Sequence, residues 1–216
     1  MRSAFLPVFS LSLAIALATA ACGTPPRIDP VPQVRGGDAA LQAQYEAALR
    51  RWTRRAELYD RLDARLFIAG TLLSPTFRDA LTARDTALGL TPSPLLSPRP
   101  GEAFPPTLLL GAYAHDAQFD ALDNADGIWR LSLTTPQGTL APQKIRRVSR
   151  PDQWFKASFP YLDRFWRVYL VTFPVPARAD AAFAWEDAVF TLQGVAGRIT
   201  LNFQAVDAAP DSAPSP

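Results

Sequence analysis

Seven short runs rich in β-branched and aromatic residues, each closed off by Gly, Pro or Asp, dominate the chain after residue 64. They are Arg65–Leu73, Thr107–His115, Ile128–Thr135, Ala141–Ser149, Phe165–Phe173, Ala188–Gln193 and Arg198–Ala205. Alternation is clearest in Phe165-Trp166-Arg167-Val168-Tyr169-Leu170-Val171. Gly194-Val195-Ala196-Gly197 predicts a tight hairpin between the last two runs, and Pro136-Gln137-Gly138 predicts another turn. Strands with no regular helix between most of them predict a mainly β fold, an immunoglobulin-like antiparallel sandwich of about seven strands. No tandem repeat interrupts this pattern.

Two helices are expected beside the strands. Asp38 is placed to cap a helix running to about Leu62, because Leu41, Tyr45, Ala48, Trp52, Tyr59 and Leu62 recur at three- and four-residue spacing. Glu46 with Arg50, and Glu57 with Arg61, then support its solvated face. If the apolar stripe were uncovered, Trp52 and Tyr59 would be partner contacts rather than core. Ser74-Pro75 is a cap followed by a first-turn proline, opening an inserted helix that ends near Gly89 with Phe77, Leu81 and Leu88 inward. A proline-rich loop follows, from Pro92 to Pro106.

The N-terminus reads as an address. Arg2 is followed by an apolar stretch from Leu6 to Ala18 and by the small residues Thr19-Ala20-Ala21, the three parts of an export leader over residues 1–21. The apolar part is the length of a leader core, shorter than a membrane span. The chain's single cysteine, Cys22, stands directly after it. In this the chain resembles bacterial lipoproteins, whose cysteine is diacylated and becomes the mature N-terminus, although Thr19 stands where that class usually has Leu. The resemblance covers the first two dozen residues. It implies a lipid on Cys22, a membrane anchor, and, from Gly23 where inner-membrane members carry Asp, delivery to the outer membrane. Two acyl chains hold a protein stably where one binds only marginally. Residues 22–37 form a Pro-rich tether, 38–206 a single domain, and 207–216 a tail expected to be disordered.

With Cys22 used, no disulfide, Cys-ligated zinc or cysteine nucleophile remains, so stability must come from a core that 48% hydrophobic residues can supply. The 22 basic and 20 acidic side chains nearly balance, and 20 of the 22 basic residues are Arg, which reads as coding bias more readily than as nucleic-acid binding, so no nucleic-acid partner is expected. His115, the only histidine, precedes Asp116 and lies near Asp120, Asp123 and Asp126; one histidine cannot supply a usual zinc set, and these residues suit an Asp-capped turn. Asn124-Ala125-Asp126-Gly127 would begin a calcium loop only if Leu122 and Leu133 were acidic. No Gly-x-Ser-x-Gly, Ser-x-x-Lys or P-loop occurs. Glu186-Asp187, read as strand residues, would point to opposite faces. Trp129 and Trp166 read as core, whereas Trp154 and Trp185, beside Asp152 and Glu186, are the aromatic residues expected to contact a ligand or partner. Asp152–Leu162, with four aromatics, is expected to close one end of the sandwich as a short helix, and Lys144, Arg146, Arg147 and Arg150 to guard an edge strand.

The functional expectation is a membrane-anchored envelope lipoprotein with no cofactor, metal or catalytic residue, acting as a binding or assembly module for another envelope protein. A carbohydrate-binding module using Trp154 or Trp185 is the alternative, and a hydrolase with His115 as base the third reading.

Overall fold

The computed structural model describes residues 38–60, 63–91, 104–124, 126–149, 151–175 and 183–204. The leader, Cys22, the tether, the proline-rich stretch 92–103, Arg61, Leu62, Arg150 and the tail lie outside them. Within them the chain runs α1 (Ala39–Trp52), β1 (Thr53–Asp60), β2 (Asp63–Leu72), α2 (Pro75–Ala87), β3 (Thr107–Tyr113), β4 (Trp129–Thr135), β5 (Gly138–Leu140), β6 (Lys144–Arg147), α3 (Gln153–Ser158), β7 (Arg167–Thr172), β8 (Val189–Gly194) and β9 (Gly197–Asn202). The strands form two antiparallel sheets, in the orders β1-β2-β3-β7-β6 and β5-β4-β8-β9.

Burial explains the sequence of each strand. β2, β3 and β7 lie inside the larger sheet and are covered on both faces, so they read as continuous apolar runs, such as Thr107–Ala112 with every residue buried. β4, in the smaller sheet, alternates buried and exposed positions from Trp129 to Thr135. One face of the larger sheet meets the smaller sheet: a Cβ on Gly70 would stand 2.8 Å from Leu201 Cδ1. The other face is covered by α3 and the loop after it, where Tyr161 Oη lies 2.6 Å from Thr71 Oγ1 and a Cβ on Gly111 would collide with Leu162 and Trp166. The segment Asp152–Leu162, expected to close one end of the sandwich, thus covers a face of the larger sheet instead.

The caps fall where the sequence puts them. Asp38 accepts from Ala40 N at 2.8 Å, Ser74 Oγ from Phe77 N at 3.2 Å, and Asp152 from Phe155 N at 2.7 Å. Gly89, at φ +64, takes the left-handed turn after α2. Gly194 pairs with Gly197 around Val195-Ala196, and Thr135 with Gly138 around Pro136-Gln137, so both predicted turns form. Lys144, Arg146 and Arg147 sit on β6, which is an edge strand.

Among the described residues nine strands replace the seven expected, and the first of the two additions corrects the N-terminal helix. It ends at Trp52, and Thr53–Asp60 pairs with Asp63–Thr71 of β2 along its whole length. An i,i+4 charge pair contributes only about 0.2–0.5 kcal/mol to a helix. A full antiparallel ladder, with Ala56 and Leu58 packed on the core, outweighs it. The remaining helix lies against its own domain: Tyr45 and Trp52 are buried, and Ala48 and Leu49 pack beside them. Tyr59 therefore shares no stripe with Trp52; it stands 53% exposed beyond a bulge at Leu58/Tyr59, its hydroxyl donating to Glu57 Oε2 at 2.6 Å. The second addition, β5, is a three-residue strand too short to show alternation in the sequence.

Candidate functional site

The end of α1, the start of α2 and the turn before β8 converge on a cleft of about 360 Å³. Its lining includes the aromatic residues Trp52, Phe183 and Trp185, the hydroxyl residues Ser74 and Thr76, and the acids Glu186 and Asp187. Each aromatic residue is placed by a local cause. Trp52 is the last residue of α1, turned inward by the helical stripe and held by Nε1 donating to Thr76 Oγ1 at 3.1 Å. The Arg51 guanidinium lies 4.5 Å from the Trp52 ring centroid and donates to Phe203 O at 2.7 Å, so the indole is fixed from behind. Phe183 and Trp185 meet edge-to-face with centroids 4.6 Å apart.

Trp185, Glu186 and Asp187 form one 3-10 turn that leads into β8. Both Glu186 and Asp187 are among the residues lining the cleft. Both are exposed. Ser74 and Thr76 are already engaged: Ser74 Oγ caps α2 and lies 3.0 Å from Thr76 Oγ1, which accepts from Trp52. Among the described residues Glu186 and Asp187 are the charged residues of the lining, with the Arg51 guanidinium against the Trp52 ring.

Trp154 goes elsewhere. Its Nε1 donates to Asp85 Oδ2 at 2.8 Å inside a buried polar cluster between α1, α2 and α3. Arg84 Nε and Nη2 reach Asp85 Oδ1 at 2.9 and 2.6 Å, and Nη2 donates to Ser158 Oγ at 2.7 Å. Arg84 also stacks 3.9 Å from the Tyr45 ring centroid, while the Tyr45 hydroxyl donates to Ser158 O. Burial pushes the Tyr45 phenol above its usual range, against the pull of Arg84. Asp85 is fully buried and Arg84 nearly so. This is a structural tie among three helices, and Trp154 spends its indole N–H in it while the residue stays partly exposed.

The remaining candidates separate. Trp129 is buried, its Nε1 donating to Phe119 O at 2.7 Å, and Trp166 covers Gly111, both as expected of core residues. His115 is exposed, its ring 5.6 Å from Tyr113, and among the described residues no carboxylate or hydroxyl is hydrogen-bonded to it. Asp116 and Asn124 cap their turns by accepting from Gln118 N and Asp126 N. Asp120 is buried; Arg167 Nη1 stands 2.8 Å from its Oδ1 without hydrogen-bond alignment, and desolvation raises the carboxyl above its ordinary value in spite of that guanidinium. Among the described residues no group of three His, Cys, Asp or Glu is placed to hold a metal, and no helix is long and apolar enough to cross a membrane.

Sequence reasoning named Trp52 and Trp185 separately but missed that they share a cleft, and missed Phe183, Ser74 and Thr76. The usable signal was Phe183-Ala184-Trp185-Glu186-Asp187 itself: two large aromatics and two acids in five residues leave no face fit for a core. Comparison with known protein families, curated proteins and solved structures finds no match to this chain.

Proposed function

We propose that this protein is a non-enzymatic binding module of the bacterial envelope, anchored at the outer membrane by lipid on Cys22, that holds a saccharide in the Trp52–Trp185 cleft. The cleft carries the reading. Indole and phenyl side chains suit the C–H faces of sugar rings, and carboxylate acceptors in the lining suit their hydroxyls. Its volume, about 360 Å³, falls at the small end of the range for ligand sites. The competing role, an assembly module docking another envelope protein, has one surface fewer to use, because the α1 stripe holding Tyr45 and Trp52 is buried by the domain itself.

The scaffold we infer is an immunoglobulin-like sandwich with an added edge strand. In that plan one sheet has the order A-B-E-D and the other C′-C-F-G. Assigning β2 to β9 to strands A, B, C, C′, D, E, F and G gives the order β2-β3-β7-β6 against β5-β4-β8-β9, with β1 extending the first sheet beside A. A buried Trp129 opens the strand in the C position. The fold alone selects no function, so the site bears the argument.

Two experiments test the proposal. Mass spectrometry of the native protein should show a diacylated Cys22 as first residue; an unmodified thiol or a retained leader removes the anchor. Calorimetric titration with oligosaccharides of envelope polysaccharides should give binding that Trp185→Ala abolishes while Trp154→Phe leaves it intact. Equal binding by wild type and Trp185→Ala would end the saccharide reading.

A further inference from the structure

We propose that β6 is a docking edge for a partner protein, which adds an acidic extended segment antiparallel to the larger sheet. This surface shares no residue with the cleft and does not rest on the saccharide reading. The four sheet edges are not alike. β1 and β9 are closed by the chain itself: Arg54 Nε donates to Asn202 O at 2.8 Å, Arg51 Nη1 donates to Phe203 O at 2.7 Å, and a Cβ on Gly197 would stand 2.9 Å from Leu58 Cδ1. β5 is three residues long. β6 keeps an open main chain.

The register tells which of its groups are open. Val148 N donates to Val168 O at 2.8 Å, and bonded pairs alternate along an antiparallel ladder. Arg146, opposite Leu170, therefore turns its peptide groups toward β7, while Ile145 and Arg147 turn theirs away from the sheet. Among the described residues nothing bonds to the main chain of these two on that side. Gln143, Lys144, Arg146 and Arg147 are exposed, and Ile145 is half-buried.

Charge selects the occupant. Lys144 and Arg146 stand on one face of the strand, Ile145 and Arg147 on the other. Among the described residues none of the three bases is in an ion pair, and Asp120, which senses the Arg147 charge, stands 2.8 Å from Arg167 Nη1. Such charges keep β6 from pairing with a second copy of itself, which would set base against base. A lipid surface or a polyanion would meet one face and leave the other unmatched. An acidic strand meets both faces and completes the ladder, so main-chain bonds supply affinity and side chains supply choice. Opposite Arg147, Arg146, Ile145 and Lys144 in turn, its sequence is acid-acid-apolar-acid.

The probe is a capped peptide, Thr-Thr-Glu-Glu-Val-Glu-Thr-Thr, titrated at low salt into the isotope-labelled complete chain in detergent and followed by NMR. The Ile145 and Arg147 amides should shift most and gain protection from hydrogen exchange. N-methylating the first Glu and the Val, whose N–H groups face β6, should abolish binding; N-methylating the second and third Glu should leave it intact. Lys144→Glu with Arg146→Glu should weaken binding about tenfold, the worth of two cross-strand charge pairs turned from attraction to repulsion. A peptide with Lys in place of the second and third Glu should restore it. Equal binding of the two N-methylated peptides, or oligogalacturonate binding as tightly as the peptide, overturns the proposal, because charge alone then draws the ligand. Absence of peptide binding overturns it too, as does protection of the same amides by self-association without peptide.

Discussion

Trp154 and Trp185 occupy almost the same sequence setting, an indole within two residues of an acid at the edge of an element, and the fold uses them in opposite ways. Trp154 spends its N–H on the buried carboxylate of Asp85, locking α3 to α2. Trp185 keeps a face open in a cleft whose carboxylates are exposed. The difference arises in the partner. Asp85 comes from another helix, and it needs the indole because Arg84 alone satisfies only one of its oxygens. Glu186 and Asp187 belong to the same short turn as Trp185 and remain hydrated. The aromatic residue marks a place where apolar surface meets polar; whether that place is a joint or a site depends on what the rest of the chain brings to it.

The strongest way to break this contrast is at Asp85. Asp85→Ala leaves the Arg84 guanidinium buried against Tyr45 and Ser158 with no counter-charge. Removing one partner of a buried pair costs about 3–5 kcal/mol. The expected result is a large fall in the urea midpoint of unfolding with an unchanged slope, or no folded protein at all. A loss under 1 kcal/mol would mean that the cluster is hydrated and that the helices are held by packing alone.

Trp154→Phe is the finer test. It keeps the aromatic packing and removes one donor, leaving Asp85 Oδ2 without its indole. An unsatisfied buried polar atom costs about 1–3 kcal/mol. Urea unfolding should register that cost, and saccharide titration should register nothing.

How much of this was legible follows physical lines. Caps, tight turns and doubly buried strands were readable because each is decided within a few neighbouring residues: Ser74-Pro75, Gly194–Gly197 and Thr107–Ala112 admit few alternatives. Thr53–Asp60 was not, because the same residues carry a helical stripe and a strand alternation, and the β2 ladder that decides between them follows only later in the chain. Arg84 and Asp85 carry no motif of their own, yet Phe77, Leu81, Arg84 and Leu88 step along one helical face. That spacing pointed the pair inward, and only the unforeseen donors Trp154 and Ser158 made burial tolerable. The cleft was half legible: two of its three aromatic residues, Trp52 and Trp185, were named, but the convergence joins residues 52, 74–76 and 183–187, a juxtaposition no local pattern encodes.

Trp185→Ala carries the smallest stability effect and the sharpest meaning. The side chain is partly exposed and its principal aromatic contact is Phe183, so truncation should cost about 0.5–1.5 kcal/mol, the worth of one edge-to-face pair. The domain should stay folded, with native circular dichroism and an unfolding midpoint only slightly lowered, while saccharide binding disappears. Trp154→Phe should give the reverse, measurable destabilisation with binding intact. If Trp185→Ala instead unfolded the domain as Asp85→Ala is expected to, the cleft wall would be core, both tryptophans would be joints, and the site would have to be sought elsewhere on the molecule.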